Sequence, residues 1–189
     1  MQRGGDPMTY ASTTVVVTGP VGAGKTTTAA AIGEVLQARG IPGAVVDQDR
    51  LRESWPAPAG DPFNERVGLA NLAAIWPNFR AAGARWLVVA DVVERAEQRA
   101  AYQRAVPGSE VVIVRLDLDL EVIHQRLRGR ESAATIDWYL HRAPELQQIM
   151  ESRGIGDLVI DVGGRSPEDV ATEIVDRVLE VRAAEMAEP

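Results

Sequence analysis

The sequence predicts an α/β fold, a three-layer α/β/α sandwich around a five-stranded parallel sheet. Three observations predict it. Five short apolar runs hardly alternate in polarity, as strands buried on both faces do. Helical stretches separate these runs, and strand–helix alternation makes a parallel sheet covered on both sides. The first run passes through a glycine-rich turn directly into a helix-like segment. Ligands of such sheets sit at the carboxyl ends of the strands. Functional residues are therefore expected just after Val17, Val46, Ala90 and Leu116.

Residues 1–11, "MQRGGDPMTYA", read as a flexible leader without a hydrophobic signal core, with Met8 as an alternative start. One domain is expected over 12–189. Thr13–Val17 is a β-branched run and predicts the first strand. Thr26 to about Ala38 predicts a helix with Ala29, Ile32, Val35 and Leu36 on one face, ended by Gly40, Pro42 and Gly43. Ala44–Asp47 is the second strand, and Ser54–Pro62 a Pro/Gly-rich loop inside the same alternation. Asn64–Ala81 is a helix, Arg85–Asp91 a strand, and Glu94–Arg104 a helix. Glu110–Leu118 is the fourth strand, followed by a helix over Leu120–Arg128. Ala134–Ser152 reads as a pair of helices broken around Pro144. Asp157–Val162 is the fifth strand. Pro167–Ala184 closes the chain, with Ser166 as N-cap and Pro167 in the first turn.

Composition excludes several classes. The chain has 189 residues, a net charge of −7 and 46% hydrophobic residues, which suits one globular domain without a broad basic surface. Nucleic acid is not an expected partner. Cysteine is absent, so disulfides, cysteine-ligated zinc and thiol nucleophiles are excluded together. No apolar run reaches the roughly 20 residues that cross a bilayer, so the expectation is a cytoplasmic protein without membrane contact.

"GPVGAGKT", Gly19–Thr26, fits the pattern G-x-x-x-x-G-K-S/T between a strand and a helix. Gly19, Gly22 and Gly24 permit a turn that aims backbone N–H groups inward, with Val21 and Ala23 contributing theirs. The helix N-terminus behind it favours the same negative charge. Lys25 would reach β- and γ-phosphates, the Thr26 hydroxyl would ligate Mg²⁺, and Thr27 would bond on the α-phosphate side. The stretch resembles the P-loop NTPase superfamily, which implies ATP and Mg²⁺ as cofactors.

"VDQDRLR", Val46–Arg52, resembles the D-G-D-x-x-R segment of adenylylsulfate kinases, with Asp47, Asp49 and Arg52 in the corresponding places. One carboxylate beside Mg-ATP can orient the metal's water shell. Another can accept the proton of an attacking hydroxyl. Arg52 can hold a polar acceptor. Alternatively, Asp49 caps a short helix over Arg50–Ser54. Asp91, ending "LVVAD", is either a second metal-holding carboxylate or a turn residue. Arg126 and Arg130 share a helical face in "RLRGRE" and would clamp phosphoryl oxygens from a lid over about 126–142, with Arg128 lying against adenine. A solvated basic helix end is the alternative. Gly163, Gly164 and Arg165 follow the fifth strand, where relatives pack the base. His124 and His141 lack a third ligand at metal spacing. Trp55, Trp76, Trp86 and Trp138 are either pocket-lining or core and rim. Arg95 and Arg99 sit on one helix face.

This order of parts resembles the nucleoside- and nucleotide-kinase-like branch of P-loop proteins. Its nearest pattern is that of the adenylylsulfate-kinase-like small phosphotransferases. The resemblance implies a sheet in the order 2-3-1-4-5 with a mobile lid. Two departures bear on the acceptor. The relatives' R-x-x-N-I-R-R pattern is here "GLANLAA", which keeps Asn71 but has Gly68, Ala73 and Ala74 in place of arginines. Their F-I-S-P-Y-R segment is missing. Asn64 and Asn71, about two turns apart, are the expected acceptor-bonding pair. The expected activity is transfer of the γ-phosphoryl group of Mg-ATP to a hydroxyl of a small acceptor other than adenylylsulfate. Alternatives are an ATP-driven switch and a nucleoside or nucleotide kinase; a homodimer is left open.

Overall fold

Five β-branched runs become the strands β1 (Ser12–Thr18), β2 (Gly43–Asp47), β3 (Trp86–Ala90), β4 (Ser109–Asp117) and β5 (Leu158–Asp161). They form one parallel sheet in the order β2-β3-β1-β4-β5. The computed structural model describes residues 12–187, so the expected 1–11 leader lies outside the described residues. Between the strands run α1 (Lys25–Ala38), α2 (Gln48–Leu51), α3 (Glu65–Ala81), α4 (Glu97–Ala105), α5 (Leu120–Arg130), α6 (Ile136–Ser152) and α7 (Pro167–Ala187).

Strand side chains alternate between two cores, which is why the runs are apolar throughout. Val15, Val17, Val88 and Val114 pack with Ile32 of α1, Ile123 of α5 and Ile174 of α7. Val16, Leu87, Val89 and Ile113 pack with Leu72 and Trp76 of α3, Tyr102 of α4 and Leu146 of α6. Among the described residues, no helix is long and apolar enough to cross a membrane.

Three local expectations need correction. Pro144 does not break the segment before β5, and α6 runs through it as one helix. Proline costs a helix interior about 3 kcal/mol, but Ala143, Leu146 and Met150 are buried along one face. Burying Leu146 and Met150 contributes about 1.5–3 kcal/mol each, which outweighs the break. The second correction is that α4 starts at Glu97 and not at Glu94. The Gln98 side chain takes the amides of Glu94 (2.8 Å) and Arg95 (3.0 Å), holding 91–96 as a loop. The third is that Asp47, not Asp49, caps the short helix α2, accepting from the Asp49 amide at 3.0 Å.

Register decides what meets at the sheet's edge. Val17 and Asp47 both lie level with Ala90 of β3. The turn after β1, the end of β2 and Asp91 after β3 therefore emerge side by side. Thr18 accepts the Val93 amide at 2.8 Å, and the Asp91 amide bonds the Val17 carbonyl at 3.1 Å, tying the loop after β3 to β1.

Candidate active site

The turn after β1 has the backbone that its glycines allow. Gly19, Gly22 and Gly24 have φ of 149°, 85° and 101°, a region that side chains disfavour. A Cβ on Gly19 would meet the Leu116 carbonyl at 2.9 Å, and one on Gly22 would meet Ile123 and Leu127 at 3.1–3.2 Å. Gly24 caps α1, whose first amides face the turn. Lys25 folds over it, donating to the carbonyls of Gly19 (3.1 Å) and Pro20 (3.2 Å). Burial pushes its ammonium down to about 8, against the attraction of Asp49, Asp91 and Asp47; Arg130 adds to the lowering. The Ala23 amide closes the turn on the Pro20 carbonyl at 3.2 Å and is not free as the sequence suggested, but a glycine-rich turn at a helix N-terminus with one desolvated cation fits a polyphosphate.

Thr26 donates its hydroxyl to Asp47 at 2.8 Å. Asp49 pairs with Arg52, and Arg52 also approaches Asp91 at 3.4 Å. Asp91 is 7% exposed. One of its oxygens accepts from the Tyr102 hydroxyl at 2.5 Å, and the other has no hydrogen-bond partner among the described residues. Burial raises the Asp91 carboxyl to about 6, opposed by Arg52 and the Tyr102 bond. Burial beside Asp91 also lifts the Tyr102 phenol well above its ordinary value. A threonine hydroxyl, a neighbouring carboxylate and a buried carboxylate oxygen that accepts no hydrogen bond, with Arg52 3.4 Å away, are hard donors of the type Mg²⁺ takes. The donor set therefore fits the metal.

Two cavities flank the cradle. One, about 300 Å³, is lined by Gly22, Ala23, Gly24, Thr27, Arg126, Arg130 and, after β5, Val162, Arg165, Pro167 and Val170. Arg126 also donates to the Ala23 carbonyl at 3.3 Å. The other, about 310 Å³, opens on the far side of Val21, between Asp49, Arg52, Phe63, Glu65, Glu94, Trp138 and Arg142.

The sequence-derived residues thus divide into those brought together and those placed elsewhere. Lys25, Thr26, Asp47, Asp49, Arg52 and Asp91 converge; Arg126 and Arg130 line the cavity beside the cradle, but the Arg130 guanidinium pairs with Glu131 at 2.6 Å, as a basic helix end would. Asn64 and Asn71 do not line the second cavity. The Asn64 amide donates to the carbonyls of Arg52 (3.0 Å) and Ser54 (2.8 Å), and Asn71 donates to that of Leu51 (2.6 Å). Both brace the chain that carries Asp49. Gly68 lets α3 pack close here: a Cβ on it would lie 2.8 Å from the Gln48 side-chain nitrogen and 3.0 Å from the Arg52 Cβ, so a larger residue requires these side chains to shift. Arg165 lines the first cavity, but its guanidinium pairs with Glu173 at 2.6 Å. Arg128 is exposed, and neither it nor Gly164 lines that cavity. Trp76 and Trp86 are core, Trp55 is exposed and Trp138 rims the second cavity. Arg95 pairs with Glu65 at 2.7 Å, while Arg99 grips Asp157 at 2.5 and 2.6 Å.

Sequence reasoning missed Phe63, Glu65, Glu94, Tyr139, Arg142 and the Tyr102–Asp91 bond. No motif marks them, because α3, α6 and the loop after β3 bring them together from distant parts of the chain.

Comparison with known proteins agrees with this architecture. A family model described as an AAA domain matches residues 15–149. No curated protein matches the sequence. Among solved structures, the chain is similar to a tunicamycin resistance protein of Deinococcus radiodurans, with a TM-score of 0.62 and 22% identity over 88% of this chain and 95% of that one. It is also similar to Acinetobacter baumannii shikimate kinase in complex with shikimate (0.60, 17%, 90% and 95%). A third likeness is to Mycobacterium tuberculosis APS kinase in complex with AMPPNP and APS (0.58, 22%, 88% and 96%). At these identities the likeness is one of fold.

Proposed function

Because the chain belongs to this AAA-domain family and folds as a kinase-like P-loop protein, we propose that it is an ATP-dependent small-molecule kinase acting on a hydroxyl group. The observation that carries this reading is the pair of cavities meeting at the cradle. Gly22–Gly24 line one and Val21 the other, so a phosphate held in the turn would face both. A nucleotide would occupy the first and an acceptor the second. An ATPase that only hydrolyses has no need of the second.

Each residue then has a part. Lys25 and the turn amides bind the β- and γ-phosphates, and Arg126 and Arg130 neutralise charge that gathers on the transferring group. Thr26, Asp47 and Asp91 would hold Mg²⁺, which when bound supplies charge neutralisation at the phosphates. Asp49, at the mouth of the acceptor cavity, orients the hydroxyl and takes its proton as the oxygen bonds to the γ-phosphorus and ADP leaves. Arg52, paired with Asp49, holds that carboxylate in place. The segment over 126–142 closes above the phosphates as a lid. Cytoplasmic location fits this chemistry.

The test is ADP release measured with and without a panel of hydroxyl compounds. Acceptor-stimulated ADP release that falls at least about a hundredfold in Asp49→Asn is expected, given the usual 10²–10⁴-fold contribution of a general base. ADP release independent of every acceptor would sink the kinase reading in favour of a switch. Unchanged transfer in Asp49→Asn would remove that residue from the role of base.

A further inference from the structure

We propose that the acceptor cavity is built for a hydroxyl compound with a flat or apolar face and no anionic group, with an amine-bearing compound preferred. This inference rests on the kinase reading and specifies its substrate class. The first observation is aromatic. Phe63, just before α3, and Trp138, in the first turn of α6, are 56% and 52% exposed and line the same 310 Å³ cavity from different elements. The Trp138 and Tyr139 rings meet edge to face, centroids 4.9 Å apart. Two large rings left in water at one opening are a stacking surface for a flat ring or the apolar face of a sugar.

The second observation is charge. The two guanidiniums lining the cavity are already committed. Arg52 is held by Asp49 and Asp91. Arg142 is held by Glu94 and, at 2.8 Å, by Glu145. Both arginine side chains are only 17% exposed. The remaining lining charge is Glu65, paired at 2.7 Å with Arg95. The lining itself carries three carboxylates, Asp49, Glu65 and Glu94, against two arginines. A carboxylate, sulfate or phosphate on the acceptor would have to break one of these pairs and then face the surplus acids. An ammonium instead meets that surplus and the faces of the two rings.

Mandelate, phenyl glycol and phenylethanolamine test this directly. They share a phenyl ring and a secondary hydroxyl and differ in carrying a carboxylate, a hydroxyl or an amine. With the full-length wild-type chain and Mg-ATP, phenylethanolamine and phenyl glycol should stimulate ADP release at least about tenfold more per molar than mandelate, in that order. Phe63→Ala and Trp138→Ala should each raise the KM for the best acceptor about tenfold while leaving the KM for ATP unchanged. A role in folding alone would not produce that split. Mandelate equal to or better than its partners overturns the charge inference while leaving the kinase reading intact. Unchanged acceptor KM in both ring variants overturns the stacking surface. Acceptor-independent ADP release throughout defeats the kinase reading and this inference with it.

Discussion

At the scale of single residues, the site is governed by how far burial wins over pairing. Asp91 is held near 6 by burial although Arg52 and Tyr102 favour its charge. Its folded-state value lies above the ordinary 3.8, so the folded chain binds this proton more tightly than the unfolded one. Stability from this group is therefore present at low pH and lost as pH rises from about 4 to about 6. The loss is on the order of 3 kcal/mol. Urea unfolding of nucleotide- and metal-free protein across that range should show a downward slope in wild type relative to Asp91→Asn. Parallel pH profiles would refute it. Lys25 is the mirror case. Its folded value near 8 lies below 10.5, so the charged form costs stability at neutral pH and the cost fades as pH rises through that interval. Lys25→Met should abolish nucleotide binding yet raise the melting temperature of the apo protein. A lowered melting temperature would mean that the carboxylates around Lys25 need its charge more than burial opposes it.

At the scale of elements, the acceptor cavity depends on where α3 begins. Asp61 accepts the amides of Glu65 (2.8 Å) and Arg66 (3.0 Å), closing the helix start beside Phe63 and Glu65. Asp61→Ala should cost about 1–2 kcal/mol in denaturant unfolding. If Phe63 and Glu65 form the acceptor wall, it should also weaken acceptor binding more than ATP binding. The contact of α3 with α2 is equally tight. Gly68→Ala forces a methyl against Gln48 and Arg52 and should displace Asp49. A fall in kcat with the cradle still binding ATP is the expected reading. This contact disfavours a larger residue at that position, because Gln48 and Arg52 would have to shift to admit it.

At the scale of the whole molecule, one sheet joins two cores, with Trp86 in one and Trp76 in the other. A single cooperative domain predicts coincident unfolding transitions for variants retaining only one of these tryptophans. Separate midpoints would divide it. Mg-ATP at a hundred times its dissociation constant should add about 2.7 kcal/mol. For a chain of this size that is a rise in melting temperature of about 5–11 °C. No shift would count against nucleotide binding.

Much of this was legible in order along the chain. The five strands, the sheet order implied by the resemblance, and the cradle from Gly19 to Thr26 all rest on local patterns: β-branched runs, glycines at fixed spacing, a lysine before a hydroxyl. Asp47, Asp49, Arg52 and Asp91 were legible because parallel strands deliver their carboxyl ends to one edge. The sequence alone determined that this chain folds around a phosphate-shaped turn with carboxylates beside it. Only the tertiary structure decided which side chains are free to act there. Asn64 and Asn71 are spent on backbone carbonyls, Arg52 and Arg142 on carboxylates, and Phe63 and Trp138 are left facing a shared opening. The reason is physical: a side chain's type and spacing are local, but its hydrogen-bond partners and its exposure are set by elements distant in sequence.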